Sequence, residues 1–268
     1  MKVGVIQMNS QDDKAANIAV ASDLVAKCSN DGARLIVLPE YFAYLGSTPD
    51  NARASAETLP HGEAYSAMQA LAAKHNITLH AGSIVEQDGN QFYNTSLVFG
   101  PNGEEKARYR KIHLFDVDVP GGARYRESDT VGRGDKIVTY DADGVTVGCT
   151  ICYDLRFAEL FRTLRDKGAK VIVLPAAFTL MTGKDHWEVL LRARAIETQC
   201  WIIASAQIFN HADGKKACYG HSMIIDPWGH ITAMVPDQVG ATTAELDFER
   251  QDSIRTNLPV ARHHVLPL

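Results

Sequence analysis

The run Val147-Gly148-Cys149-Thr150-Ile151-Cys152-Tyr153-Asp154-Leu155-Arg156-Phe157 leads a buried strand directly into a polar turn and a helix, with Cys152 at the turn. A cysteine near a helix N-terminus is favoured as thiolate, because the unpaired N–H groups there carry positive potential. The same N–H groups could hold the oxyanion formed when a thiolate attacks a carbonyl. Most free cysteines are small buried hydrophobes instead, and position alone does not decide between the two uses. Cys149 and Cys152 also form a Cys-x-x-Cys, which admits a thiol-redox pair or half of a metal site. Against both, Cys149 falls inside the strand pattern, facing a core, and no second such pair supplies further zinc ligands.

A carboxylate comes from an internal echo. Gly32-Ala33-Arg34-Leu35-Ile36-Val37-Leu38-Pro39 reappears as Gly168-Ala169-Lys170-Val171-Ile172-Val173-Leu174-Pro175. Each copy follows a helical segment and ends a buried strand at a proline. Glu40 follows the first copy and Ala176 the second, both just past a strand's C-terminal end, where sites in α/β sheets gather. A carboxylate there needs a partner or a task; capping a nearby loop would serve as well as catalysis. A cation comes from Arg108-Tyr109-Arg110-Lys111-Ile112-His113-Leu114-Phe115-Asp116, which ends a strand and opens a long loop. One lysine could face a site, although a solvated charge run has the same composition.

The elements that must position these residues follow from periodicity. Buried strands are expected over 2–8 and 34–38, and helices over 13–29 and 62–75. Strands over 77–85 and 92–99 flank an Asp88-Gly89-Asn90 turn. Residues 111–135, with Pro120-Gly121-Gly122, read as a long loop, a place where function concentrates. Strands are expected over 136–141 and 145–151, a helix over 155–167, a strand over 170–174 and a helix over 185–199. Strands over 201–206, 218–225, 230–235 and 242–247 complete the pattern, and the last twenty residues show none. Two β–α–β halves with helices outside two facing sheets make an α/β protein.

Composition excludes several classes. The chain has 268 residues, 46% hydrophobic and 22% charged, ordinary for a globular protein that buries a large core. Its net charge of −5, without a basic stripe, argues against nucleic acid as a partner. The N-terminal apolar run is too short for a signal peptide, and no stretch approaches membrane-span length, so no membrane partner and a cytoplasmic location are expected. Five scattered cysteines do not make a disulfide framework.

Taken together, Leu38-Pro39-Glu40, Tyr109-Arg110-Lys111-Ile112-His113-Leu114 and Gly148-Cys149-Thr150-Ile151-Cys152-Tyr153-Asp154 resemble, in order and separation, the motifs of the nitrilase, or carbon–nitrogen hydrolase, superfamily. The resemblance spans nearly the whole chain and implies a single domain over 1–268 with a four-layer αββα sandwich. It implies a Glu40-Lys111-Cys152 triad, a second glutamate at Glu127, and an oxyanion site that uses the backbone N–H of Tyr153. No cofactor or metal is implied. A small-molecule amide as substrate and a homodimer or larger homo-oligomer are.

Within the superfamily, nitrilases carry Trp-Glu after the nucleophile, whereas Tyr153-Asp154 stands here, as in the amidase branch. The segments 186–200 and 219–229 are similar to amidases of deaminated glutathione. Lys-Ile-His-Leu-Phe-Asp over 111–116 is also matched in the ω-amidases that hydrolyse α-ketoglutaramate. Arg192, Arg194 and Glu197 suit ion pairing near the surface. Arg156 suits pairing with Asp154 or Glu159, or a substrate carboxylate. Trp228 suits a turn. Residues 176–181, with Tyr41, Phe42 and Tyr44 opposite, could wall a pocket.

Overall fold

The computed structural model describes residues 1–118, 124–211, 214 and 216–265; the expected Pro120-Gly121-Gly122 loop lies outside them. Among the described residues, two large sheets of seven and six strands dominate. In the first, Leu35–Val37 lies parallel between Lys2–Gln7 and Thr78–His80. In the second, Val171–Ala176 lies parallel between Val145–Cys149 and Trp201–Ala206. The two echoed segments are thus central strands of equivalent halves. Parallel pairing sends all their C-terminal ends to one edge.

Side-chain alternation makes four layers. Ile6, Ile36 and Leu38 pack with Ala21, Val25 and Met68 from helices Lys14–Asn30 and Glu63–His75. Their neighbours Val3, Val5, Leu35 and Val37 join the core of the second sheet instead. In that sheet Gly148 faces helix Ala158–Asp166, where an added Cβ would lie 3.0 Å from Leu164 Cδ2. Val147 and Cys149 therefore point inward, toward the first sheet. Helix Leu180–Thr198 covers the outer side next to it, and the sum is the αββα sandwich.

Polar groups pin the two sheets in register. Gln7 accepts from Ser222 N at 2.7 Å and donates to Pro236 O at 2.8 Å; Met8 bridges to Gln207. Gln7, Gln207 and Ser222 are fully buried, so each bond they make avoids the cost of an unsatisfied polar atom.

Several boundaries differ from the periodicity. The run over 77–85 divides into Thr78–His80 and Ile84–Asp88, because Gly82 turns the chain at φ +53°, where a Cβ would meet Pro39 O at 2.0 Å. The run over 218–225 likewise divides, at Gly220 and His221 (φ 75° and 59°), into Lys216–Tyr219 of a separate hairpin and Met223–Ile225 of the second sheet. The loop over 111–135 holds a short hairpin of Asp116–Asp118 with Arg124–Arg126 and a 3₁₀ turn, Glu127–Asp129. Helix Phe248–Asn257, capped by Asp247, occupies the patternless C-terminal stretch; only Gln251 of it is buried, so it carries almost no apolar stripe to read.

Candidate active site

Glu40, Lys111, Glu127, Cys152 and Tyr153 all line one cavity of about 290 Å³. Glu40 follows strand Leu35–Val37, Lys111 follows strand Glu105–Arg110, and Glu127 opens the 3₁₀ turn of the long loop. Cys152 begins the 3₁₀ turn Cys152–Arg156, after strand Val145–Cys149. The helix expected from 155 starts only at Ala158. The tighter turn holds Cys152 at φ 45°, a left-handed conformation that costs a non-glycine residue about 1 kcal/mol or more. The sharp turn aims the side chain at the cavity.

Lys111 ties the two glutamates together. Its Nζ donates to Glu40 Oε1 at 3.0 Å and to Glu127 Oε1 and Oε2 at 3.0 and 2.8 Å. Asn94 Nδ2 donates to the same two carboxylates, at 2.7 Å to Glu40 and 3.1 Å to Glu127. Glu127 also accepts from Tyr41 OH at 3.1 Å and from Phe115 N at 2.7 Å. Glu40 Oε2 accepts from Ala177 N at 2.7 Å. The echo positions therefore meet in space: the residue after Pro39 is held by the backbone of the residue two after Pro175. Sequence reasoning missed Asn94 and the Ala177 N–H, since neither lies in a motif.

Electrostatics follow from these contacts. Burial opposes the charge on Lys111, but Glu127 and Glu40 outweigh it and hold the ammonium well above the ordinary lysine range. Burial likewise opposes the charge on Glu127, and Lys111 with the Phe115 N–H and Asn94 keeps its carboxyl below the usual value. Burial and the charge of Glu40 push the Cys152 thiol well above the ordinary cysteine range, against the pull of Lys111 and the Ala177 N–H. Glu40 is also a side-chain hydrogen-bond partner of that thiol, the proximity a proton transfer between them would need.

Asp154 joins the cysteine turn to the lysine segment. Its Oδ2 accepts from Ile151 N at 2.8 Å and Tyr109 OH at 2.7 Å; its Oδ1 accepts from His113 N at 3.2 Å and lies 2.7 Å from His113 Nδ1. Arg156 does not pair with Asp154 or Glu159. It stacks over the Tyr153 and Phe178 rings at 5.8 and 5.4 Å and reaches His186. Arg194, nearly buried, pairs with Glu197 at 2.9 Å and holds Leu155 O at 2.9 Å. Of the expected walls, Ala177, Phe178, Thr179, Tyr41 and Tyr44 line the cavity, whereas Phe42 is in the core and Met181 is exposed.

Among the described residues, no group of three or more His, Cys, Asp or Glu is placed to hold a metal, and all five cysteines are free. Cys149 faces the inter-sheet core rather than Cys152's cavity, so the redox and metal alternative is not favoured. No helix among the described residues is long and apolar enough to cross a membrane.

A family model for carbon–nitrogen hydrolases matches residues 2–256. The chain belongs to the carbon–nitrogen hydrolase family. It is 41% identical over 265 residues to a deaminated glutathione amidase of Synechocystis, covering 97% of this chain and 96% of that one. It is 36% identical over 264 residues to the omega-amidase NIT2 of Homo sapiens, covering 97% and 94%. The crystal structure of Saccharomyces cerevisiae Nit3, a member of branch 10 of the nitrilase superfamily, superposes with a TM-score of 0.88 at 33% identity, over 97% of this chain and 94% of that one. The amidase branch of this family is where the chain falls, and it is a hydrolase of carbon–nitrogen bonds.

Proposed function

We propose that the chain, as one domain over 1–268, hydrolyses a small α-keto acid amide, deaminated glutathione foremost, through a thioester on Cys152. The observation that carries this reading is the strained Cys152 turn sharing a cavity with the Lys111-bridged pair Glu40 and Glu127. An amide carbonyl is a weak electrophile, so it needs a strong nucleophile and a stabilised oxyanion. Glu40 takes the thiol proton as Sγ attacks the carbonyl carbon. Lys111 Nζ and the Tyr153 N–H, which lies in a first turn with no intrahelical acceptor, hold the oxyanion. Glu40 returns the proton to the leaving nitrogen as the carbon–nitrogen bond breaks. Water, deprotonated by Glu40, then attacks the thioester, and the proton goes back to Sγ. Glu127 and Asn94 keep Lys111 and Glu40 in place throughout.

The relatives named for deaminated glutathione and for omega-amidase activity support the substrate class. Intact mass spectrometry of wild type and Cys152→Ala, mixed with deaminated glutathione and sampled early, tests it. An acyl adduct on wild type alone, with release of Cys-Gly, is expected. Turnover that persists in Cys152→Ala sinks the mechanism; no turnover except of α-ketoglutaramate moves the substrate to the omega-amidase side. A cytosolic enzyme is part of the reading, in keeping with five free thiols. So is a homodimer. Val189, Ile196 and Trp228 are 67, 50 and 49% exposed, and Arg192 on the same helix donates to Gly229 O at 2.8 Å, which brings the Trp228 turn against it. Sedimentation as a monomer would remove that element.

A further inference from the structure

We propose that Lys216 anchors a carboxylate that the substrate carries away from its scissile amide. The inference rests on the amidase reading above and names a specificity residue for it.

Among the described residues, four cations line the cavity: Lys111, Arg124, Arg126 and Lys216. Three are engaged. Lys111 is held by Glu40 and Glu127, and Arg126 and Arg124 lie 2.8 and 3.5 Å from Asp118. Lys216 differs. Its Nζ donates to one neutral acceptor, Gly46 O at 3.0 Å, and no carboxylate among the described residues lies within ion-pair distance. An ammonium has three donors, so two remain for a ligand. Lys216 is also half-buried, and burial pulls its pKa below the ordinary lysine value despite the charge of Glu127, which four nearer donors already satisfy. A desolvated, unpaired cation beside a cavity is the arrangement an incoming carboxylate improves most.

The placement suits a remote group. Lys216 and Cys218 share a face of strand Lys216–Tyr219, two residues and about 7 Å apart. Cys218 bridges to Thr179, and Tyr219 N donates to Phe178 O at 2.9 Å, so that end of the strand adjoins the loop carrying Ala177 and the reacting centre. Lys216 stands one step farther out. A cavity of about 290 Å³ is on the order of ten water volumes, room for a chain of atoms between the two ends.

The test measures kcat and KM of wild type, Lys216→Met and Lys216→Arg on three amides. Deaminated glutathione carries a keto-acid carboxylate and a glycine carboxylate. Its glycine amide lacks the second, and α-ketoglutaramate has only the first. Lys216→Met is expected to lower kcat/KM for deaminated glutathione about 10- to 100-fold, chiefly through KM, and Lys216→Arg to restore most of it. If α-ketoglutaramate falls in parallel, the anchored group is the keto-acid carboxylate. If the loss is confined to deaminated glutathione, it is the glycine carboxylate. Either pattern supports the anchor. Activity of Lys216→Met within threefold of wild type on all three overturns it. So does a loss carried by kcat that Lys216→Arg does not repair, which marks a structural tie to Gly46 instead. Wild type inactive on all three would sink the amidase reading itself, whereas an active wild type with an indifferent Lys216→Met sinks this inference alone.

Discussion

Replacing Asp154 by asparagine should injure the fold and the chemistry together. The carboxylate is fully buried, and each of its oxygens takes one backbone N–H: Ile151 on Oδ2 and His113 on Oδ1. The Tyr109 hydroxyl and the His113 ring can reverse their roles and accept from an amide, but a backbone N–H cannot. Whichever way the new amide turns, its NH₂ faces one of those N–H groups, and a buried donor is left unsatisfied at a cost of about 1–3 kcal/mol. The remaining bonds lose their charge assistance as well. The total is about 3–5 kcal/mol, the usual penalty for breaking a buried charged network. For a chain of this size, that lowers the melting temperature by on the order of 10 °C. The same bonds fix the Cys152 turn against the strand end carrying Lys111, and His113 stacks on Phe157 at 3.7 Å, closing the link. A displacement near 1 Å between nucleophile and oxyanion donor costs about 100-fold in rate. Calorimetry and amide-hydrolysis kinetics on Asp154→Asn check both. A melting temperature within 2 °C or so of wild type refutes the account of the network. A large thermal loss with kcat/KM unchanged refutes the coupling between network and catalysis.

Three further outcomes are expected. Glu40 raises the Cys152 thiol and Lys111 lowers it, so alkylation by iodoacetamide should begin at lower pH in Glu40→Gln and at higher pH in Lys111→Met than in wild type; the reverse order, read by intact mass, would contradict the assigned electrostatics. Burial favours the neutral form of Glu86, but hydrogen bonds from Arg110 and Thr95 and the charges of Arg110 and Arg108 win and lower its carboxyl below the unfolded value. Its stabilisation is therefore complete above the unfolded carboxylate pKa and lost as pH falls through the folded one. The urea midpoints of wild type and Glu86→Gln should accordingly differ at pH 7 and converge as the pH is lowered through the carboxylate range, and a gap that widens in acid would be evidence against it. An alanine at Gly183 would place its Cβ 2.3 Å from Tyr219 Cβ, driving helix Leu180–Thr198 off the strand that carries Lys216 and Cys218. Overpacking of this kind costs about 1–3 kcal/mol, visible as a lower melting temperature; an unchanged one means the helix and strand can part freely.

Local pattern carried the frame of this protein. Buried β-branched runs ended by proline mark the central strands, and their repetition over 32–39 and 168–175 marks the two halves. The motifs place Glu40, Lys111 and Cys152 at element ends because each is a short-range signal: a strand, a breaker, a candidate site residue. The strand divisions at Gly82 and Gly220 escaped, since a left-handed turn leaves the hydrophobic pattern unbroken. What holds the site together lay beyond any local window. Asn94 meets Glu40 across 54 residues, and the Ala177 N–H meets it across 137. The Asp154 network, and the ammonium of Lys216 with no carboxylate at ion-pair distance among the described residues, likewise exist only because two sheets stack with their strand ends at one edge. Periodicity tells each segment which face to bury. Only the packing of the faces against each other decides which distant polar groups share a dry cavity and must satisfy one another there.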